Sequence, residues 1–199
     1  GIGKDFCARL IHSISLRGKE PFVVVDCGSI PETLIESELF GYEGGAFTGA
    51  NQKGKKGMFE LANKGTLFLD EIENASEYLQ MKLLRAIEDK TIVKIGSSKE
   101  IPIDIRIIAA TNHMLESMVD EGKFRKDLYY RLNVMPLDIP PLRNRIEDIS
   151  VLVKYFISVY NGKYGKNIKN YCLIGRCPML KEKLHCLSIT KSWITLHII

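Results

Sequence analysis

Three short runs hold residue types that can do chemistry. The chain starts Gly1-Ile2-Gly3-Lys4-Asp5, which reads as the second half of a phosphate-binding loop, G-x-x-x-x-G-K-[ST]. In such loops backbone N–H groups surround phosphate oxygens, the lysine reaches the β- and γ-oxygens, and the helix that follows points its positive dipole end at the anion. Asp5 stands where Ser or Thr ordinarily ligates Mg²⁺, and a glycine-rich segment before an ordinary helix gives the same letters. Gly65-Thr66-Leu67-Phe68-Leu69-Asp70-Glu71 is an apolar β-run closing on two acids, as a buried parallel strand reads when it delivers carboxylates to its C-terminal edge. There Asp70 can hold Mg²⁺ and Glu71 can polarise a water that attacks a γ-phosphate; an acidic turn is the bland alternative. Adjacent strand side chains face opposite ways, so the two acids are expected to take different jobs. In the third run, Gly45, Ala46, Phe47, Thr48, Gly49 and Ala50, glycines free the backbone around an aromatic and a hydroxyl. That suits a contact device better than a core segment.

These residues need elements to position them. Phe6, Leu10 and Ile14 at four-residue spacing predict a helix after the phosphate loop, with that stripe buried. Phe22–Asp26 reads as a strand, Pro31 suits the first turn of a helix running to Leu39, and residues 41–56 form an exposed insertion. Ser76 is a candidate cap for a helix whose Leu79, Leu83, Ala86 and Ile87 face the core. A strand over Ile92–Ile95 sits in a second excursion. Ile103–Ala109 reads as a central strand ending at Thr111-Asn112, where an Asn beginning a turn is sufficient explanation. Helices follow at Met114–Glu121 and Arg125–Leu132, then a strand near Met135–Ile139. Ile149, Leu152, Val153, Phe156, Ile157 and Tyr160 form a last amphipathic stripe. Strand–helix alternation predicts an α/β fold with a parallel sheet.

Glu36-Ser37-Glu38-Leu39-Phe40-Gly41, the 45–50 hexapeptide, the Gly65–Ile72 strand, Phe124–Leu132 and Pro140-Pro141-Leu142-Arg143 occur in one order. Together they resemble the central domain of bacterial sigma-54-dependent transcriptional activators, the enhancer-binding proteins, a branch of the AAA+ ATPases. The resemblance runs from residue 1 to about residue 165. It implies an AAA+ P-loop NTPase: a parallel sheet flanked by helices, with an incomplete helical lid, that hydrolyses ATP to remodel sigma-54 RNA polymerase and open promoters. ATP and Mg²⁺ are the implied cofactors, with Gly1, Gly3, Lys4, Asp5, Asp70, Glu71, Thr111 and Asn112 at the nucleotide and Asp70 at the metal. Glu71 and Asp70 would be catalytic, joined by Arg125 and Arg131 reaching a neighbour's site in a hexameric ring; residues 45–50 would touch sigma-54. Without the resemblance, each arginine reads as a solvated charge. DNA contact is expected only through a domain outside this chain, and the location as the bacterial cytoplasm. The alternatives are a non-catalytic sigma-54-binding module and an AAA+ remodeller of another client. The family often carries Asn before Cys27, where its amide bonds the catalytic glutamate; this chain has Asp26, which could not donate to Glu71.

At 199 residues, 45% hydrophobic and 26% charged, composition is ordinary globular usage. No apolar run approaches the ~18 residues of a membrane span. The absence of an initiator Met suggests an excised or truncated domain. Cys7, Cys27, Cys172, Cys177 and Cys186 form no C-x-x-C pair, which argues for reduced thiols rather than zinc or disulfides. The net charge of +4 divides into −2 for residues 1–160 and +6 for residues 161–199, so the basic balance belongs to the tail. The expected division is an ATPase core at 1–145, the start of a helical lid at 146–168 and an atypical tail at 169–199 that matches no part of the family, as a frame-shifted or truncated reading would give. His185, Trp193 and His197 read as incidental there.

Overall fold

Apolar, β-branched runs set the sheet. The computed structural model describes residues 3–169 and 194–199. Among these, Gly3–Ile139 with Ile194–Ile199 form one compact unit and residues 140–169 belong to a second. Between these two units the chain passes at Ile139–Pro140.

In the first unit, α1 (Lys4–Ser13) precedes β1 (Phe22–Asp26), and α2 (Glu32–Phe40) runs into the short strand β2 (Gly41–Tyr42). β2 pairs antiparallel with β3 (Lys55–Lys56), so residues 43–54 form the tip of an insertion, as the sequence predicts. After α3 (Met58–Leu61) comes β4 (Thr66–Asp70), whose Leu67, Phe68 and Leu69 are wholly buried. A strand covered on both faces reads as a continuous apolar run, which is why the alternation expected of a half-exposed strand is missing. α4 (Glu77–Asp89) is capped by Ser76, whose Oγ accepts from the N–H of Leu79, and buries Leu79, Leu83, Ala86 and Ile87 as expected. β5 (Thr91–Val93) and β6 (Glu100–Pro102) make a second antiparallel hairpin. β7 (Arg106–Thr111), α5 (Leu115–Asp120), α6 (Lys126–Leu132) and β8 (Met135–Ile139) follow. In the second unit α7 (Glu147–Tyr164) buries none of its residues, its apolar stripe included, and stacks Phe156, Tyr160 and Tyr164 along one side.

β9 (Ile194–Ile198) completes the main sheet, in the order β1-β4-β7-β9-β8. β1, β4 and β7 are mutually parallel, whereas β9 runs antiparallel to both neighbours. The parallel core is as expected; the antiparallel strand from the tail is not. His197 is correspondingly not incidental: it is buried, with Nδ1 3.1 Å from Asn133 Oδ1. His185 and Trp193 lie outside the described residues, as does Gly1.

The stripe predicted to bury α1 is reversed. Phe6 and Ile14 are 68% and 76% exposed, and Leu10 is exposed too. The helix instead presents Ala8 and His12 to the sheet. His12 Nδ1 lies 2.9 Å from Thr66 Oγ1 and its ring packs 5.1 Å from Phe22. Ala8, wholly buried, lets the helix backbone come close to the strands, and the larger residues are turned outward.

Candidate functional site at the strand ends

β1, β4 and β7 end level with one another: Asp26 pairs with Asp70, and Leu69 with Ala109. Lys4, at the start of α1, meets that edge. Its Nζ lies 2.7 Å from Asp70 Oδ1 and donates to Asn112 Oδ1 at 3.2 Å, with the lysine side chain only 10% exposed. Asn112 turns its Nδ2 to Glu71 Oε1 at 3.1 Å, and Asn74 Nδ2 donates to Glu71 Oε2 at 3.2 Å. One polar network therefore joins Lys4, Asp70, Asn112 and Glu71.

The alternation argument for the two acids does not apply, because Glu71 lies beyond the strand. It takes φ 53°, ψ 46°, a left-handed conformation uncommon for a residue with a side chain. That turn brings its carboxylate back toward Asn112. Gly28 sits against it, and a Cβ there would collide with the Glu71 carboxylate. Asp26 points elsewhere: its Oδ1 accepts from the N–H groups of Gly28 and Ser29 at 2.9 and 3.2 Å, closing its own turn. The amides facing Glu71 come from Asn112 and Asn74.

Other predicted residues are placed differently. Thr111 is buried, and its hydroxyl donates to His113 O and accepts from His113 N, so it braces a turn. Asp5 is exposed and pairs with Arg9 at 3.0 Å. Gly3 takes φ 105° with open space where a Cβ would stand. Arg125 is held by Asp127 through two bonds of 3.0 and 2.6 Å. Arg131 is exposed and lines a cavity of about 550 Å³ with Arg106 and Ile199. No described contact brings either arginine to Lys4, Asp70 or Glu71.

Glu73 escaped the sequence reading. It is buried, its Oε1 accepts from the backbone N–H of Asn112 at 2.9 Å, and its Oε2 has no hydrogen-bond partner among the described residues. The negative field here registers on Cys27, whose thiol is pushed up to about 12, first by burial and then by Asp26, Glu73, Asp70 and Glu71.

The 45–50 loop is built as a presented tip. Phe47 is 43% exposed and leans edge-on against Tyr42 at 5.1 Å. Gly45 and Gly49 take φ 75° and 94°, values open to glycine. The base is clamped to the second hairpin: Glu43 N–H donates to Ile95 O, and Ile95 N–H to Gly41 O, both at 3.0 Å.

The stretch that holds both this network and the aromatic-tipped insertion, residues 1–138, matches the family model of the sigma-54 interaction domain. The chain belongs to the sigma-54 interaction domain family. It is 54% identical over 156 residues to the acetoin dehydrogenase operon transcriptional activator AcoR of Bacillus subtilis, covering 78% of this chain and 26% of that protein. It is 52% identical over 168 residues to the regulatory protein AtoC of Escherichia coli, covering 84% of this chain and 36% of AtoC. The chain thus spans about a quarter to a third of these relatives. Among solved structures, NtrX from Brucella abortus superposes with a TM-score of 0.80 at 37% identity, over 87% of this chain and 38% of NtrX. NtrX has also been crystallised with ATP and with ADP. The sigma-54 interaction domain fold is therefore the α/β fold expected, and no described helix is long and apolar enough to cross a membrane.

Proposed function

We propose that this chain is the ATP-hydrolysing, sigma-54-contacting domain of a bacterial transcriptional activator that works in the cytoplasm as a hexameric ring and meets DNA through a separate domain. The observation that carries the reading is the side-chain network joining Lys4, Asp70, Asn112 and Glu71 at one sheet edge. These residues fit a magnesium nucleotide: Lys4 already holds an anionic oxygen, Asp70 offers a carboxylate, and nothing stands in the way at Gly3. Mg²⁺ held at Asp70 would neutralise charge on the β- and γ-oxygens.

Lys4 exchanges the Asp70 carboxylate for phosphate oxygens, and Glu71, aimed by Asn112 and Asn74, orients the attacking water and takes its proton. Asn112 bonds both Lys4 and Glu71, so loss of the γ-phosphate is felt at both ends of its amide. Arg125 and Arg131 of a neighbouring copy would stabilise the transferred charge, an effect worth roughly 10³–10⁵ in rate where it operates. For that, Arg125 has to leave Asp127. Phe47 and Thr48 then meet sigma-54 in one nucleotide state and withdraw in another.

The test is phosphate release and sigma-54 capture on one set of proteins. Glu71→Gln should lower turnover by roughly 10²–10⁴ while keeping nucleotide binding. Phe47→Ala should keep turnover and lose sigma-54. Turnover unchanged by Glu71→Gln, or full capture by Phe47→Ala, overturns the corresponding half. The Asp5–Arg9 pair favours a second reading, a sigma-54-binding module without turnover. Capture of sigma-54 without phosphate release, with turnover restored by Asp5→Ser, is its signature.

A further inference from the structure

The buried face of α4 is apolar at Leu79, Leu83, Ala86 and Ile87, and polar at Gln80. Gln80 is 1% exposed, and its side-chain bonds all run to main-chain atoms. Nε2 donates to Ala75 O at 2.8 Å and to Lys123 O at 3.2 Å, while Oε1 accepts from the N–H of Arg125 at 2.8 Å. Both amide hydrogens are thus engaged, as a buried carboxamide requires. Ala75 closes the 3-10 turn Ile72–Asn74 that follows Glu71, where Asn74 N–H donates to Glu71 O and Ala75 N–H to Ile72 O. Arg125 stands at the start of α6, with its guanidinium on Asp127 of the same segment. One carboxamide therefore joins the turn that aims Glu71 to the residue that carries a candidate arginine. The two ends are held differently. The turn has its own main-chain bonds, and Glu71 is also gripped by Asn112 and Asn74. On the other side, Met118 O accepts from Lys123 and Phe124 and fixes that segment to α5, whereas Gln80 refers it to the turn.

We infer that Gln80 is a positioning residue that ties Arg125 to the Glu71 turn, so that the arginine a copy offers its neighbour is placed by that copy's own site. This rests on the reading of Arg125 as a group acting across the boundary between copies. Nucleotide that draws on Lys4, Asn112 and Glu71 displaces the turn, and Ala75 O carries the displacement through the amide plane to the N–H of Arg125. Coupling of this kind is reciprocal. A neighbouring site that engages Arg125 favours one state of the turn, and adjacent sites in a ring are coordinated without direct contact between their nucleotides.

The test mixes two variants of the full 199-residue chain and follows phosphate release. Arg125→Ala copies keep a site but offer no arginine at that position; Glu71→Gln copies offer the arginine but lack the carboxylate that orients water. The mixture should turn over about tenfold or more faster than either variant alone, since an arginine supplied in trans is worth at least that much. Gln80→Met in the Glu71→Gln copies should cut the recovered rate by about tenfold or more, as a misplacement of about 1 Å can. In the Arg125→Ala copies, which have no arginine there to place, the same substitution should cost far less. Equal losses in both arms would make Gln80 a general support of the fold and overturn the inference. A mixture no faster than its parts overturns the reading of Arg125 and the inference with it. Should Gln80→Met not fold, amide exchange of the parent chain decides. Saturating ADP should change protection at Arg125 together with Asn74 and Ala75, at one midpoint, and leave Ile103 unaffected. A response at Asn74 and Ala75 without Arg125 overturns the inference alone; silence at all three overturns the nucleotide reading too.

Discussion

Asn112 does two opposite things with one amide: its oxygen accepts from Lys4 and its nitrogen donates to Glu71. A side-chain amide can face a cation through its oxygen and a carboxylate through its nitrogen at once. Its position is set by Glu73, which holds the Asn112 backbone N–H from a buried site. Glu73→Ala would leave that N–H without its acceptor, at a cost of about 1–3 kcal/mol, and let Asn112 drift from Glu71. The expected result is lower turnover at unchanged nucleotide affinity; an equal loss of both would mean Glu73 serves general stability. Lys4, Asp70, Glu71 and Asn112 were legible in the sequence because each lies next to a strand end or helix start that its neighbours announce. Glu73 and Asn74 were not, since their contacts depend on the left-handed turn at Glu71, which no local pattern of side chains encodes.

Between elements, the two hairpins that carry the insertion act as one support. Gly96, at φ 79°, packs directly on Ala46, and a Cβ there would strike the Ala46 side chain. Gly96→Ala therefore strains the backbone and displaces the loop base, while Lys4, Asp70 and Asn112 keep their places. Sigma-54 capture should fall toward the level of Phe47→Ala with phosphate release retained; capture equal to the parent's would show that the second hairpin does not govern the loop. The exposed insertion was readable from its glycines, because positive φ is a local property. The orientation of α1 was not. Spacing fixes which residues share a face, but whether that face turns inward is decided by what the sheet offers, here Thr66 and Phe22 to His12.

At the scale of the molecule, the sheet depends on a strand that the sequence order gives no reason to place there. Strands pair across any separation if the register buries the right face, so a tail without family resemblance can still complete a sheet. Its weak point is His197. Burial lowers the imidazole pKa from its ordinary 6.5, with Asp138 and Glu116 pulling the other way. The seated strand thus holds His197 neutral at a pH where a released or unfolded strand is protonated. Falling pH through about 6.5 favours the released form, by at most about 1.4 kcal/mol per pH unit until the lowered value is reached, and rising pH reseats it. Amide exchange at Leu196–Ile198, corrected for intrinsic rates, should therefore speed up relative to Leu67–Leu69 between about pH 7.5 and about pH 5.5. His197→Gln, which keeps a group able to bond Asn133 but cannot titrate, should flatten that response. A pH dependence surviving the substitution would assign the sensitivity to another group, and uniform protection across the sheet at both pH values would show that β9 is seated as firmly as β4.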